Sequence, residues 1–272
     1  MLKHYITVIG LFLTMILKAQ ILPVTTQPFV IGESVSFASE ILSEQRTLNV
    51  YLPEGYDKAD SLSYPVIYLL DGSANEDFIH ITGLVQFFTM LGMPKTIVVG
   101  IANVDRKRDF TFHTDLKELK EKYPTTGSSA KFMDFIEKEL QPFVEKHYKT
   151  RRSNMIIGQS LGGLLATEIL LKKPDLFTDY LIISPSLWWN NESLLKEAPA
   201  LLASQKDDTK RVYISVGKEG KIMEEEARGI YDVLKKSGRK HLKLDFLPLP
   251  KEDHATILHQ SIYDAFKLFY MN

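Results

Sequence analysis

Cysteine does not occur anywhere in the 272 residues of this chain. Without thiols the protein can form no disulfide, no zinc site built on thiolates and no lipid anchor on cysteine. A chain without cysteine is compatible with both reducing and oxidising compartments, so this absence does not indicate where the protein acts.

The chain also carries almost no excess charge. Its 33 lysine and arginine side chains and 34 aspartate and glutamate side chains give a formal net charge of −1 at pH 7 with histidine neutral. This balance gives no reason to expect a nucleic acid or an anionic membrane surface as a partner. Low-complexity tracts and repeats of fixed period are not visible either, which disfavours solenoid and propeller folds.

The N-terminus carries an apolar stretch that is too short to span a bilayer comfortably. A short basic region precedes the apolar residues 5–17, and the sequence Lys-Ala-Gln follows them. These features are typical of a secretory signal peptide with a small residue near the cleavage point. We predict a signal peptide over residues 1–20 and a mature chain that starts near Gln20 or Ile21, the alternative being an uncleaved membrane anchor. The mature protein is then expected to be periplasmic or secreted, without stable membrane association.

Strand-like and helix-like segments alternate from residue 33 onward. Residues 66–70 form a continuous apolar run, as expected of a strand buried on both faces of a parallel sheet. Residues 130–148 carry an apolar stripe of helical spacing, in which Pro142 predicts a kink. The predicted strands are residues 35–37, 47–52, 66–70, 96–101, 155–157, 180–183, 212–216 and 242–247, and the predicted helices are residues 78–90, 130–148, 161–172, 194–202, 222–236 and 256–270.

This alternation indicates right-handed crossovers between parallel strands. We predict the α/β class and, within it, an α/β-hydrolase fold, because two antiparallel strands come first, the segment Gly158-Gln159-Ser160-Leu161-Gly162 follows the fifth strand and a helix closes the chain. Its central sheet is expected to be mostly parallel, of about eight strands, with helices on both faces. No linker divides the mature chain, so residues 21–272 are predicted to form a single domain.

One short segment indicates chemistry. Gly158-Gln159-Ser160-Leu161-Gly162 lies between the predicted strand 155–157 and the predicted helix 161–172. A Gly-x-Ser-x-Gly segment in this strand–turn–helix context is the signature of a nucleophile elbow. A serine hydroxyl is a weak nucleophile at neutral pH, so it must be held exposed beside a base and beside donors for an oxyanion. The alternative interpretation is an ordinary glycine-rich turn between a strand and a helix.

A catalytic serine on this fold requires a histidine base after the last strand. His254 lies between the last predicted strand and the last predicted helix, which is the expected position. His259 lies within that helix and His241 at the start of the last strand, so both are weaker candidates. His254 would accept the Ser160 proton and return it to the leaving group.

The acid of such a triad is expected on the loop after the strand 212–216. Glu219 is the first carboxylate there, and its role would be to fix the imidazole tautomer and stabilise the imidazolium. The acidic run Glu224, Glu225 and Glu226 is the alternative, although acidic side chains are also favoured in the first turn of a helix.

An oxyanion hole on this fold combines two backbone N–H groups. Leu161, the residue after the nucleophile, would donate one of them. The other would come from Gly72 or Ser73 in the loop after the third strand. We expect Asp71 to order that loop through hydrogen bonds from its side chain to the backbone.

Taken together, these motifs resemble the esterase D-like "putative esterase" family of α/β-hydrolases. That family includes siderophore trilactone esterases and feruloyl and acetyl xylan esterases. The resemblance extends from about residue 33 to the C-terminus. It is carried by residues 68–72 (Tyr-Leu-Leu-Asp-Gly), 108–111 (Arg-Asp-Phe-Thr), 158–163, 184–189 (Ser-Pro-Ser-Leu-Trp-Trp), 216–220 (Val-Gly-Lys-Glu-Gly) and by His254.

The resemblance implies an esterase with Ser160, Glu219 and His254 as nucleophile, acid and base. It implies an acyl-enzyme mechanism that uses no metal ion and no organic cofactor, and a small-molecule ester as substrate. Acyl transfer to another alcohol and a binding protein without activity are the competing functions.

Four residues are candidates for contact with the substrate. Trp188 and Trp189 follow the sixth strand, at the sheet edge where ligands bind in open α/β folds, although one of them is equally compatible with the core. Arg108 lies in the basic run 106–108 after the fourth strand, with His113 nearby. A basic rim would favour an anionic substrate such as a ferric siderophore trilactone, whereas runs of charge are usually solvated loop surfaces. A feruloyl or acetyl sugar ester is the alternative substrate.

Overall fold

The computed structural model describes residues 25–59 and 61–271. The predicted signal peptide, residues 1–20, lies outside the described residues. Residues Ile31–Asn272 form one compact unit.

Eight strands form a single sheet in the described residues, in the order β1-β2-β4-β3-β5-β6-β7-β8. β1 pairs antiparallel with β2 and β2 antiparallel with β4, whereas every other neighbouring pair is parallel. The prediction of a mostly parallel sheet of about eight strands is confirmed. The strands are β1 (Glu33–Ser39), β2 (Glu44–Tyr51), β3 (Tyr64–Leu69), β4 (Ile97–Ile101), β5 (Thr150–Gln159), β6 (Asp179–Ile183), β7 (Lys210–Gly217) and β8 (Leu242–Leu249).

Helices cover both faces of the sheet because its central strands are apolar on both sides. In β3, Val66 and Tyr68 belong to one core cluster and Ile67 and Leu69 to the other, following the two-residue alternation of a strand. The helices are α1 (Phe78–Met90), α2 (Arg106–Phe110), α3 (Lys117–Lys122), α4 (Ser129–Phe135), α5 (Gln141–His147), α6 (Leu161–Lys172), α7 (Trp189–Ala203), α8 (Lys221–Lys236) and α9 (Ile257–Tyr270). α1 and α9 pack on one face, whereas α4, α6, α7 and α8 pack on the other.

The helix predicted over residues 130–148 is interrupted. A π-helical segment, Ile136–Leu140, separates α4 from α5, and the Gln141 N–H donates to the Ile136 carbonyl five residues earlier. Pro142, in the first turn of α5, has no N–H, and its ring excludes a regular turn before it. The interruption therefore comes before the proline.

The loops that follow β3, β5, β6 and β7 leave the same edge of the sheet, because these strands are parallel. Ligand sites of open α/β folds lie at this edge. In the described part of the chain, no helix is both long and apolar enough to cross a membrane.

Candidate active site

Ser160 connects β5 to α6 in a strained backbone conformation, with φ 60° and ψ −120°. A positive φ is costly for a residue with a Cβ and persists only where the surrounding structure enforces it. Here the Ser160 N–H donates to the Ile183 carbonyl of β6 at 3.0 Å, and the Ser160 carbonyl accepts from Leu164 and Ser186. The elbow is thus fixed to the neighbouring strand and to its own helix.

Glycines allow this tight turn. A Cβ on Gly158 would lie 2.4 Å from the Gly162 carbonyl oxygen, and one on Gly163 would lie 2.9 Å from Pro185 Cα. Both distances are shorter than any real contact, so strand and helix can approach only without these side chains. At Gly163, the second glycine after Leu161, helix α6 therefore lies against the segment that follows β6.

A buried carboxylate faces an exposed imidazole at the end of β7. Glu219 Oε2 lies 2.5 Å from His254 Nδ1, with the glutamate side chain 3% exposed and the histidine side chain 48% exposed. Glu219 Oε1 accepts from the Gly217 N–H at 2.9 Å and from Ser184 Oγ at 2.5 Å. Both carboxylate oxygens are therefore occupied, and the carboxylate is fixed in one orientation.

Burial raises the pKa of the Glu219 carboxyl, but hydrogen bonds from His254, Ser184 and Gly217 outweigh burial and keep that pKa below its usual range. Glu224, the alternative acid, lies elsewhere: its Oε1 accepts the backbone N–H groups of Glu219 and Gly220. The structure thus brings Glu219 to the imidazole, and Glu224 supports the loop that carries Glu219.

The loop of His254 contacts the elbow through the residue before the serine. Gln159 Nε2 donates to the His254 carbonyl at 2.5 Å. Ser160 Oγ lies 3.3 Å from Ser186 Oγ, and among the described residues no hydrogen bond joins the serine hydroxyl to the His254 ring. Such contacts are often long before substrate binds. The other histidine candidates have different partners: His259 stacks on His80 of α1 at 3.5 Å between ring centroids, and the His241 N–H donates to Asp207 Oδ1 at 3.3 Å.

Of the backbone donors predicted for the oxyanion hole, Leu161 and Ser73 remain candidates and Gly72 does not. Leu161 is the first residue of α6, so its N–H has no partner within the helix. The prediction of Gly72 is corrected, because its N–H donates to the Ile101 carbonyl at 3.0 Å and continues the sheet. The Ser73 N–H donates to Glu76 Oε2 at 3.2 Å in an exposed contact.

Two of the predicted substrate contacts are also corrected. Trp189 is 0% exposed, and its indole N–H donates to the Phe112 carbonyl at 2.9 Å, so it is a core residue. Arg108 is held by Glu44 and Asp109, which occupy its guanidinium. The sequence shows neither outcome, because Glu44 lies 64 residues from Arg108 and Phe112 lies 77 residues from Trp189.

The remaining two candidates are accessible. Trp188 is partly buried and lines a groove with Leu116, Lys117 and Asn191. His113 is 70% exposed and contacts Asp115 at 3.1 Å, without a contact to the triad residues in the described part of the chain.

The sequence interpretation missed several polar residues around the site. Ser184 and Ser186 bracket Pro185 in the segment after β6 and contact Glu219 and Ser160, respectively. Arg106 forms an ion pair with Asp71. We predicted that Asp71 orders its loop through hydrogen bonds to the backbone, and the structure shows this ion pair with a side chain in their place. The Ser-Pro-Ser segment after a buried strand was the available signal for the two serines.

Within residues 25–59 and 61–271, no group of three or more histidine, aspartate or glutamate side chains is arranged to hold a metal ion. The described site contains Ser160 in a strained turn and the hydrogen-bonded pair of His254 and Glu219.

A family model described as "Putative esterase" matches residues 39–254. The chain belongs to this esterase family. The ferri-bacillibactin esterase BesA of Bacillus subtilis (strain 168) is 30% identical over 240 residues, which cover 79% of this chain and 82% of BesA. A siderophore enterobactin esterase of Emericella nidulans is 44% identical over 75 residues, covering 26% of this chain and 25% of that protein.

Solved structures agree with this esterase family. An IroE-like serine hydrolase from Shewanella oneidensis has a TM-score of 0.80 at 31% identity, covering 88% of this chain and 80% of that one. The BES protein from Bacillus cereus has a TM-score of 0.78 at 28% identity, covering 92% of this chain and 99% of that one. The resemblance predicted from the sequence is confirmed, and this esterase is a carboxylic ester hydrolase.

Proposed function

We propose that the protein is an exported serine esterase that hydrolyses a ferric siderophore trilactone through an acyl-enzyme on Ser160. The observation that carries the serine mechanism is the buried Glu219 at 2.5 Å from the His254 ring, on a loop joined to the residue before Ser160. A carboxylate in that position holds the imidazole in the tautomer whose free nitrogen can accept a proton.

In the first half of the reaction, Ser160 Oγ attacks the ester carbonyl carbon and its proton passes to His254 Nε2. The carbonyl oxygen becomes an oxyanion that accepts the N–H groups of Leu161 and Ser73, the latter after displacing Glu76. The ester C–O bond then breaks, and His254 returns the proton to the leaving alkoxide. In a trilactone this new alcohol stays joined to the acyl group through the rest of the opened ring, and Ser160 carries the linearised chain.

In the second half, a water molecule gives a proton to His254 and attacks the acyl carbon. Collapse of the new tetrahedral intermediate breaks the bond to Ser160 Oγ, which takes the proton back. The acid product is released, and the triad returns to its starting protonation state.

The substrate proposal rests on two kinds of support. BesA and the enterobactin esterase bear siderophore substrates in their names. Beside Trp188, the Lys107 ammonium lies 5.2 Å from the Tyr123 ring centroid, so cationic and aromatic groups meet next to the groove. Such a surface suits an anionic aromatic ligand.

A fluorophosphonate probe tests the mechanism. Wild-type protein should be labelled, and Ser160→Ala should not, whereas an unlabelled wild type would favour a binding protein over an enzyme.

A panel of ferric and iron-free trilactones, a feruloyl sugar ester and an acetyl sugar ester tests the substrate. The ferric trilactone should give the highest kcat/KM, and a higher value for a sugar ester would favour a carbohydrate esterase.

A further inference from the structure

Arg106 joins the two loops that carry the oxyanion donors. Its guanidinium forms two parallel hydrogen bonds with Asp71, from Nε to Oδ1 at 2.6 Å and from Nη2 to Oδ2 at 2.8 Å. The same Nη2 donates to the Gln159 carbonyl at 3.2 Å. Asp71 begins the loop of Ser73, and Gln159 precedes Ser160 and Leu161. One side chain therefore spans both halves of the proposed oxyanion hole.

Asp71 is itself held in an unfavourable conformation. Its φ is 55°, and the residue is 8% exposed. Asn103 Nδ2 donates to Asp71 Oδ1 at 2.7 Å, and the Asn103 N–H donates to Ser73 Oγ at 3.3 Å. A strained residue stays in place only where its surroundings over-determine it, and here the partners of its carboxylate do so.

The charges around this loop are mainly acidic. Burial raises the pKa of Asp77 to about 6, helped by the negative charges of Asp71 and Glu76, while Arg106 opposes the shift. Burial lowers the pKa of Arg106, but its hydrogen bond to Asp71 and the neighbouring carboxylates outweigh burial and raise it. Arg106 is thus the cation that binds the buried carboxylate of Asp71, beside the acids Glu76 and Asp77.

We propose that the Arg106–Asp71 ion pair is a positioning pair that sets the distance between the Ser73 and Leu161 N–H groups. The inference rests on the proposed serine mechanism. Neither side chain touches the ester; they act through the backbone of the two loops. Two of the three guanidinium nitrogen positions of Arg106 are directed at protein oxygens, which distinguishes this role from binding an anionic substrate.

The test compares Arg106→Gln, Asp71→Asn and the double variant on two esters, neutral p-nitrophenyl acetate and an anionic carboxylated p-nitrophenyl ester. Each single variant should lower kcat on both esters by about 10²-fold, the loss typical of one oxyanion donor, with KM changed less than about threefold. Inhibition by phenylboronic acid, which forms a tetrahedral adduct on the serine, should weaken by a similar factor. The double variant should be no worse than the poorer single variant, because the pair acts as a unit.

Two milder variants keep the test decisive if Arg106→Gln folds poorly. Arg106→Lys retains the charge without the two parallel bonds, so it should recover part of the kcat loss. Asn103→Ala removes a neutral donor to Asp71 and should lower kcat in the same direction by a smaller factor.

Arg211→Gln is the matched control. Arg211 pairs with Asp179 at 2.7 Å with comparable exposure, at the opposite end of β6 and β7 from the site. This variant should lower stability without changing kcat. A raised KM for the anionic ester alone in Arg106→Gln would make Arg106 a substrate contact and overturn the proposal. An unchanged kcat in that variant would overturn it as well. Failure of the serine mechanism itself would show separately, as equal activity of wild type and Ser160→Ala.

Discussion

At the residue scale, the proposed chemistry depends on Ser160 and on how its neighbours hold it. Its positive φ of 60° directs a serine out of a turn between a buried strand and a buried helix. The hydroxyl contacts Ser186, and the base lies on a loop joined to Gln159. A hydroxyl in this position needs both a base and oxyanion donors to react at neutral pH.

Ser160→Ala and His254→Ala should each lower kcat for ester hydrolysis by about 10⁴-fold or more. Combining them should add little, because proton transfer and attack occur in one concerted unit. Steady-state kinetics on p-nitrophenyl acetate measures all three variants. Additive losses in the double variant would contradict a shared role.

Glu219→Gln should lower kcat by about 10²- to 10⁴-fold, because a neutral amide can hold the imidazole in the wrong tautomer. Glu224→Gln is the control, since Glu224 accepts backbone N–H groups and does not contact the imidazole. A larger loss in Glu224→Gln than in Glu219→Gln would reverse the assignment.

The lowered pKa of Glu219 also predicts how the stability of the protein depends on pH. The folded-state pKa of Glu219 lies below its ordinary value of 4.5, so the ionised carboxylate contributes stability above about pH 4.5, and this stability is lost as pH falls through the folded pKa. Urea unfolding should therefore give a constant stability difference between wild type and Glu219→Gln from pH 5 to 8, and a shrinking difference below about pH 4.

At the element scale, the segment after β6 places two consecutive tryptophans in different environments. Trp189→Ala should lower the free energy of unfolding by about 3–5 kcal/mol, because it empties a fully buried site. Trp188→Ala should cost less stability and should raise KM for aromatic esters, since Trp188 lines the groove beside α3. Thermal unfolding and KM values measure the two effects, and equal destabilisation by both variants would contradict them.

α8 buries a carboxylate on its inner face. Glu226 is 4% exposed, and burial, together with the charge of Glu192, raises its pKa to about 7. A raised folded-state pKa means that the native state binds the proton more tightly, so stability falls as pH rises from 4.5 to about 7 and is then level.

Glu226→Gln should therefore stabilise the protein at pH 8 by on the order of 1–2 kcal/mol and have little effect at pH 5. The exposed neighbour Glu225 offers the control variant Glu225→Gln, which should change stability little at either pH. Urea unfolding at the two pH values measures the effect. A stability gain independent of pH would show that the charge of Glu226 is not its cause.

At the scale of the whole molecule, we propose that the N-terminal segment determines where the esterase acts. We propose export, from the basic and apolar pattern of residues 1–20. When the chain is expressed in a Gram-negative host, it should be recovered from the periplasm. Its measured mass should correspond to an N-terminus near Gln20 or Ile21. Deletion of residues 2–19 should retain it in the cytoplasm. Recovery of an unprocessed chain in the membrane fraction would favour an anchor.

Much of the architecture followed from local sequence patterns. Continuous apolar runs identified the buried parallel strands, since a strand covered on both faces needs apolar residues throughout. The glycines around Ser160 identified the strand–helix turn, because no residue with a Cβ fits at Gly158. A kink at Pro142 was predicted, whereas the structure shows a π-helical segment that begins six residues earlier, at Ile136.

Features that depend on neighbours along the chain were predictable from the sequence: strand and helix periodicity, the elbow, and the order of serine, acid and histidine. The tertiary structure decided what depends on partners far apart. The occupied N–H of Gly72, the buried ring of Trp189 and the capture of Arg108 by Glu44 follow from distant segments packing together. The Arg106–Asp71 pair is of the same kind, since 35 residues separate its members and only the parallel sheet brings them into contact.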